Sequence, residues 1–225
     1  MGIRIFYSLL RFLYPPHCLL CYKALDHKPG LCSACAKMVG YAGQHQISFT
    51  KVDNIDVYFL QSFNDGVRQL IHMLKYQGKT LPGRLLGEAL GRGLGEVLNE
   101  RDDWLVVPVP LHSARKRERG YNQSAIIARA IGEFSGFQVC EEGLKRVRHT
   151  PSQTRLDRQA RYLNMESAFG VRREEKINGR WVVLVDDVVT TGATVSACVN
   201  ALIGSGAKRV VVATVARPKL GEDMP

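Results

Sequence analysis

The run from Val182 to Thr194 constrains the fold of this 225-residue chain more than any other segment. Four apolar residues, Val182–Val185, predict a short strand that is buried on both faces. Asp186 and Asp187 follow at once. An unpaired acid inside a core is costly, so we expect the strand to end before them. The next residues, Thr190–Thr194, are small, rich in hydroxyls and interrupted by a glycine, which is typical of a loop that leads into a helix.

These residue types suit a sugar phosphate. Two adjacent carboxylates can each accept a hydrogen bond from one hydroxyl of a ribose diol. A loop such as Thr190–Thr194 lets backbone N–H groups approach a phosphate, and the N-terminus of the following helix attracts the same anion. We therefore predict a ribose-phosphate site on Asp186, Asp187 and this loop. The competing interpretation is a plain turn between a core strand and a helix.

Short apolar runs alternate with helical patterns along most of the chain. This alternation predicts an α/β fold whose parallel sheet is covered on both faces. In such sheets ligands bind at the carboxyl ends of the strands. The predicted strands are Val57–Leu60, Trp104–Val109, Trp181–Val185 and Val210–Val215, and the predicted helices are Asp65–Tyr76, 82–98, 122–135 and 194–203.

A cluster of basic residues follows the strand that ends at Val109. Arg115, Lys116, Arg117 and Arg119 fall within five positions, directly after Leu111 and His112. Cations at a strand end are well placed to hold a pyrophosphate, and an arginine fork can grip phosphate oxygens with two hydrogen bonds. We select Arg119 as the main candidate for binding the pyrophosphate. The alternative is an exposed basic loop without a ligand.

Four of the six cysteines lie in the first 40 residues, in two C-x-x-C pairs separated by ten residues. Four thiolates in paired motifs suit one tetrahedral, structural Zn²⁺. The separation is shorter than in common zinc ribbons, which favours a small knuckle. Disulfides are the weaker alternative, because we expect a reducing compartment. The predicted ligands are Cys18, Cys21, Cys32 and Cys35.

The chain carries a net charge of +10, which favours polyanionic partners without choosing among nucleic acid, phosphorylated metabolites and membrane surfaces. No segment is long and apolar enough to predict a membrane span. Ile3–Tyr14 is interrupted by arginines and predicts an amphipathic helix that packs on the protein rather than on a membrane surface. We recognise no export signal, so we expect a cytoplasmic protein.

The run Val182–Thr194 closely resembles the binding motif for 5-phosphoribosyl-1-pyrophosphate (PRPP) in type I phosphoribosyltransferases. Taken together, the motifs of almost the entire chain resemble the ComF family of competence proteins. The segments that carry this resemblance are Pro15–Cys21, Cys32–Cys35, Leu74-Lys75-Tyr76 with Gly78, Val107–Leu111, Arg119–Gln123, Thr150–Gln153, Arg161 with Asn164, and Ala168-Phe169.

The resemblance implies a type I phosphoribosyltransferase-like parallel sheet flanked by helices in residues 49–225. An amphipathic helix and a zinc-knuckle module would occupy residues 1–48, and Tyr41–Asp56 reads as a connector. The resemblance implies that Asp186, Asp187 and Arg119 are catalytic residues. The resemblance also implies that PRPP binds together with Mg²⁺. The PRPP-binding residues that it implies are Leu111, His112, Arg119, Arg148, Gln153, Asp186, Asp187, Val188, Val189, Thr190, Thr191, Gly192, Ala193 and Thr194.

The basic segment that contains Arg148 and Gln153 is expected to be the flexible loop that closes over substrate in this superfamily. The family resemblance further implies a cytoplasmic role in natural transformation or use of external DNA. It suggests single-stranded DNA and proteins of the DNA-uptake machinery as partners, with Tyr22, Tyr41 or Tyr121 as stacking residues for bases.

Two functions follow from this resemblance. In the first, the protein is an enzyme that transfers the phosphoribosyl group of PRPP to an unidentified acceptor and releases pyrophosphate. In the second, it is a non-catalytic adaptor that senses PRPP and binds single-stranded DNA. Steady release of pyrophosphate separates the enzyme from the adaptor.

Overall fold

The apolar runs of the sequence form the centre of a six-stranded sheet. The computed structural model describes residues 15–26, 28–41, 47–98, 103–147 and 168–218. In chain order the elements are α1 (Ser33–Met38), β1 (Ser48–Val52), β2 (Ile55–Ser62), α2 (Asp65–Tyr76), α3 (Leu81–Val97), β3 (Trp104–Pro108), α4 (Ser113–Arg119), α5 (Gln123–Ser135), β4 (Gln138–Val139), β5 (Leu144–Arg146), β6 (Phe169–Val171), α6 (Glu174–Ile177), β7 (Trp181–Val188), α7 (Ala193–Gly204) and β8 (Arg209–Arg217).

The sheet is mostly parallel, as predicted. Its strand order is β1-β2-β8-β7-β3-β4, and within it β1 and β2 alone pair antiparallel. Strands β3, β7 and β8 lie in the middle and are buried on both faces, which explains their continuous apolar sequences. Two short strands, β5 and β6, form a separate antiparallel pair. The α/β fold class is confirmed.

Two apolar layers flank the sheet. Val183 and Val185 of β7 belong to the core on the side of α2, α3 and α5. Their neighbours Val182 and Leu184 belong to the core on the side of α7. This division follows from the two-residue repeat of a strand, because successive side chains point to opposite faces. Both faces of β7 are therefore covered by helices.

The stretch Tyr41–Asp56, which we expected to be a connector, instead contributes a β-hairpin. Asp53 and Asn54 have φ angles of 48° and 64°, and they join β1 to β2. Asparagine and aspartate tolerate this left-handed conformation better than most residues, so the two-residue turn is a favourable hairpin connection. The hairpin extends the parallel sheet by two strands.

The cysteine-rich unit packs directly on the main core. Val39 is fully buried in the same apolar cluster as the helices of the large domain. The side chain of Asn64 donates a hydrogen bond of 2.9 Å to the carbonyl of Met38 and also caps α2 by accepting from the N–H of Val67. The division of the chain at residues 48 and 49 stays a prediction, and these contacts tie its two sides together.

Among the described residues, no helix is long and apolar enough to cross a membrane. The amphipathic helix predicted for Ile3–Tyr14 lies outside the described residues.

Helices α3 and α5 approach each other closely through glycines. A Cβ built on Gly87 would lie 2.6 Å from the carbonyl oxygen of Ile127 and 2.7 Å from the Cβ of Ala130. One turn later, a Cβ on Gly91 would lie 2.8 Å from the carbonyl oxygen of Ile131. Only glycine allows this separation of the two backbones.

We expect Gly87→Ala to destabilise the protein by about 1–3 kcal/mol, because the added methyl must push α3 away from α5. Gly95→Ala is the matched control in the same helix, since its Cβ would meet Ser135 at an ordinary 3.5 Å. Alanine is also the better helix former, by about 1 kcal/mol, so this control should be neutral or stabilising. Urea denaturation measures both, and equal effects would contradict the close-packing argument.

Candidate functional site

The two adjacent aspartates belong to β7 rather than to the loop after it. The strand continues to Val188, because Asp186 pairs with Thr214 and Val188 pairs with Ala216 of β8. The prediction that the strand ends at Val185 was therefore wrong. One acid does enter the interior, since the side chain of Asp187 is only 7% exposed.

Lys75 compensates the buried charge of Asp187. Its ammonium forms an ion pair with the Asp187 carboxylate. Lys75 lies in the last turn of α2, and its side chain is about three-quarters buried at 24% exposure. The sequence placed Lys75 in a family motif without giving it a role. Only the sheet topology shows that the end of α2 meets the end of β7.

Asp186 is held by two hydrogen-bond donors. Its Oδ1 accepts from the hydroxyl of Ser124 at 3.1 Å and from the backbone N–H of Asp187 at 2.9 Å. Burial, reinforced by the negative charge of Asp187, raises the pKa of Asp186 to about 8. The two carboxylates thus differ in partner, because one is paired with a cation and the other is held by neutral donors.

The loop after β7 leads into a helix, α7, as predicted. Gly192 has a φ of 79° and precedes the first residue of α7, and its carbonyl accepts from the N–H of Ser196. Thr190 and Thr191 are exposed, whereas the side chain of Val189 is buried in the core. The hydroxyls and backbone N–H groups of this loop are therefore accessible at the N-terminus of α7, and Val189 can contribute only its backbone.

The basic cluster after β3 lies on a short helix, α4. The Nδ1 atom of His112 accepts from the N–H of Ala114 and caps its start, and Gly120 ends it with a φ of 78°. Arg119 donates a hydrogen bond of 3.1 Å to Gln123, and its guanidinium lies 5.2 Å from the centre of the Tyr76 ring. Arg119 is thereby fixed in place.

One cavity of about 200 Å³ brings both predicted halves of the site together. Its lining combines four cations with the two acids, so the cavity is suited to a polyanionic ligand that also carries hydroxyl donors. The lining residues are Lys75, Tyr76, Val109, Pro110, Leu111, His112, Arg115, Arg119, Gln123, Ser124, Arg146, Phe169, Asp186, Asp187 and Thr194.

Some predicted residues do not line this cavity. Of the predicted run from Val188 to Thr194, which spans the end of β7, the loop and the start of α7, only Thr194 contributes to the lining, and Val188, Val189, Thr190, Thr191, Gly192 and Ala193 do not. Arg148 and Gln153 lie outside the described residues. Sequence reasoning gave no role to Lys75, Tyr76, Ser124 or Arg146. Lys75 and Tyr76 stood in a segment that carries the family resemblance, and Ser124 is next to the helix start that Asn122 caps.

The four N-terminal cysteines form a site that fits zinc. Their Sγ atoms all lie within 4.8 Å of one another, and those of Cys21 and Cys32 are 3.6 Å apart. A tetrahedral ion with Zn–S bonds of about 2.3 Å needs sulfurs separated by about 3.8 Å. The geometry supports the predicted ligands Cys18, Cys21, Cys32 and Cys35, and four protein ligands leave no open position for catalysis.

The surroundings of these thiols differ in how they favour a thiolate. Burial raises the pKa of Cys18, but the N–H groups of Cys21, Cys32 and Leu20 outweigh it and lower that pKa to about 6. Burial and the neighbouring thiols raise the pKa of Cys35 to about 12. Cys35 therefore needs a bound cation to lose its proton near neutrality, which is what a zinc ion supplies.

Two family models match separate parts of the chain. A model for the phosphoribosyl transferase domain matches residues 118–225, and a model for the double zinc ribbon domain matches residues 9–46. The match to a double zinc ribbon corrects our expectation of a smaller zinc knuckle, which rested on the cysteine spacing. Fold and site thus define a phosphoribosyltransferase-type domain joined to a zinc-ribbon module.

Relatives cover most of the chain. A DNA utilization protein YhgH from Salmonella typhi is 30% identical over 209 residues, covering 87% of each chain. Competence protein F from Haemophilus influenzae is 27% identical over 206 residues, covering 89% of this chain and 90% of its own. The chain belongs to the ComF family.

Solved structures with the same type of domain are more distant. The glutamine PRPP amidotransferase from B. subtilis, complexed with ADP and GMP, is 18% identical with a TM-score of 0.42, covering 64% of this chain and 30% of its own. The family assignment does not depend on this likeness.

Removal of zinc should unfold the cysteine-rich unit and weaken the core on which Val39 packs. We expect about one zinc per chain in the wild type. Cys18→Ser should bind no zinc, and its free energy of unfolding should fall by at least about 3 kcal/mol. This is the stabilisation by a ligand whose free concentration exceeds its Kd about a hundredfold. Elemental analysis and thermal unfolding measure both effects. Cys140→Ala is the control outside the site and should retain zinc; a zinc-free wild type would contradict the assignment.

Lys75→Met should destabilise the protein by about 2 kcal/mol, because it leaves the buried Asp187 carboxylate without its cation. Adding Asp187→Asn should restore most of this loss, since the stranded charge is then removed. A double-mutant cycle from chemical denaturation measures the coupling. Lys79→Met changes a neighbouring exposed lysine and should have almost no effect. Additive effects of Lys75→Met and Asp187→Asn would show that the ion pair is unimportant.

Proposed function

We propose that this protein binds PRPP with Mg²⁺ and transfers its phosphoribosyl group to an acceptor, with release of pyrophosphate, in the use of external DNA. One observation carries the proposal. A single cavity joins two adjacent carboxylates, the start of a helix after a glycine loop, and a group of cations. These are the three kinds of group that a ribose with phosphates at both ends requires.

The residues divide the ligand among them. Asp186 and Asp187 would accept hydrogen bonds from the two ribose hydroxyls. The backbone N–H groups and hydroxyls of Thr190–Thr194 would hold the 5-phosphate at the start of α7. Arg119, with Arg115 beside it, would hold the pyrophosphate. In this orientation C1 of the ribose lies between the acids and the arginines.

Transfer breaks the bond between C1 and the pyrophosphate oxygen and forms a bond from C1 to the acceptor atom, and the proton that the acceptor atom loses passes to solvent. The leaving pyrophosphate gains negative charge, and Arg119 would stabilise that charge from a fixed position. Its hydrogen bond to Gln123 and its contact with Tyr76 hold it there without further ordering. By the family resemblance, Arg148 and Gln153, which lie outside the described residues, would also bind PRPP.

The donor set also fits Mg²⁺. This ion prefers oxygen ligands and usually combines one or two carboxylates with phosphates of the substrate. The cavity offers the carboxylates of Asp186 and Asp187, and PRPP would bring the remaining oxygens. When bound, Mg²⁺ neutralises charge on the pyrophosphate.

The connection to DNA rests on the relatives and on charge. Two relatives are named DNA utilization protein and competence protein. The net charge of +10 suits binding of single-stranded DNA. The affinity for this DNA should fall strongly as the salt concentration rises. Proteins of the DNA-uptake machinery are the expected partners. A four-thiolate zinc site needs reduced cysteines, which supports the cytoplasm as the compartment.

Calorimetric titration with Mg²⁺ and PRPP tests the site. We expect wild-type protein to bind, and the double variant Asp186→Asn, Asp187→Asn to lose at least tenfold in affinity, because amides accept hydroxyl donors less strongly than carboxylates. Arg129→Gln is a control, since Arg129 pairs with Glu141 away from the cavity.

Pyrophosphate release in the presence of candidate acceptors then tests catalysis. Steady release that Arg119→Ala reduces at least a hundredfold supports transfer. Binding without release would favour the adaptor that senses PRPP. A folded, zinc-loaded wild type that does not bind Mg²⁺ and PRPP would overturn the proposal.

A further inference from the structure

Tyr76 is an exposed aromatic residue at the mouth of the cavity. It is the last residue of α2, it is 66% exposed, and it contributes to the cavity lining. The apolar side chains of the preceding turns, such as Leu70 and Leu74, are fully buried. Tyr76 therefore extends beyond the core that the rest of α2 builds. Its ring offers a large apolar surface to a ligand that reaches the cavity.

The ring of Tyr76 is held in place although it is exposed. The guanidinium of Arg119 lies 5.2 Å from its centre, and the ring of His72 lies 5.0 Å away with planes inclined by 45°. Just before it, the carbonyl of Leu74 accepts a 2.5 Å hydrogen bond from the hydroxyl of Tyr121. A surface that is already ordered loses little entropy when a ligand stacks on it.

The other tyrosines that sequence reasoning suggested for stacking are less suitable. The hydroxyl of Tyr121 is bound to α2, and Tyr41 is packed against the core. Tyr22 is 71% exposed, but it does not line the cavity. Among the tyrosines in the part of the chain that the structure describes, Tyr76 is the one that combines exposure with a place in the cavity lining.

The charges around Tyr76 favour a planar ligand that is also near phosphate. Arg119 and Arg115 line the same cavity, on the side proposed for pyrophosphate. A ring stacked on Tyr76 would therefore lie beside the pyrophosphate end of the ligand and within reach of the ribose carbon that is attacked. Planar heteroaromatic rings stack on tyrosine, and each base contributes in a way that depends little on its identity.

We propose that Tyr76 is the platform on which a nucleobase stacks at the mouth of the cavity. The inference rests on the proposed function and names the chemical class of the second ligand. The base comes either as a free molecule or as part of single-stranded DNA, and both sources present the same planar ring. In either case the ring packs on Tyr76 while the cations of the cavity hold phosphate.

Binding of three probes to Tyr76 variants tests the inference. The probes are free thymine with saturating Mg²⁺ and PRPP, a labelled single strand of twelve thymidines, and an abasic strand with the same phosphates. We expect Tyr76→Ala to weaken binding of one or both thymine-containing probes by about 5- to 100-fold, the range for loss of one stacked base. Tyr76→Phe should keep the affinity, because stacking needs the ring and not the hydroxyl.

The pattern of losses identifies the source of the base. A loss for the thymidine strand but not for the abasic strand supports DNA, and a loss for thymine alone supports a free base. Unchanged affinity of Tyr76→Ala for both thymine probes overturns the inference. Equal losses for Tyr22→Ala, which changes an exposed tyrosine away from the cavity, overturn it as well.

Failure of this inference can be distinguished from failure of the proposed function. Affinity of Tyr76→Ala for Mg²⁺ and PRPP should fall by no more than about fivefold, the value of an exposed cation–π contact with Arg119. If wild-type protein binds Mg²⁺ and PRPP but Tyr76→Ala binds the thymine probes normally, only the platform is wrong. If wild-type protein does not bind Mg²⁺ and PRPP, the proposed function is wrong.

Discussion

The candidate site depends on two adjacent carboxylates near the carboxyl end of β7, a central strand of a buried sheet. Desolvating two acids side by side is unfavourable, and the structure answers it with a cation for Asp187 and neutral donors for Asp186. Lys75 comes from the end of α2 and Ser124 from the start of α5. Compensation of the acids therefore brings two helix ends to the carboxyl edge of the sheet, and the cavity lies between them.

The same helix ends connect the ribose side of the site to the pyrophosphate side. The hydroxyl of Tyr121 donates to the carbonyl of Leu74, one residue before the lysine that pairs with Asp187. Arg119 contacts the ring of Tyr76, one residue after that lysine. A movement of the end of α2 would change the partner of an acid and the position of an arginine together. The positions of Asp187 and Arg119 are therefore coupled through the end of α2.

Local features were predictable, and long-range pairings were not. The bounds of α2 and the start of α5 agree with prediction because Asn64 and Asn122 cap these helices with their side chains. The end of β7 was misjudged because pairing with β8 continues past Asp186, and a cation from another element makes that burial tolerable. The periodicity of one segment contains no information about such a partner.

The zinc unit contacts the helix that ends in the cavity. Gly66 lies in the first turn of α2, and a Cβ there would come within 3.0 Å of side-chain atoms of both Met38 and Val39. Lys75 and Tyr76 lie at the opposite end of the same twelve-residue helix. Because an α-helix transmits displacement along its axis as a rigid element, the packing of the cysteine-rich unit fixes where Lys75 meets Asp187. Zinc bound to the four cysteines would support the geometry of a site to which it contributes no ligand.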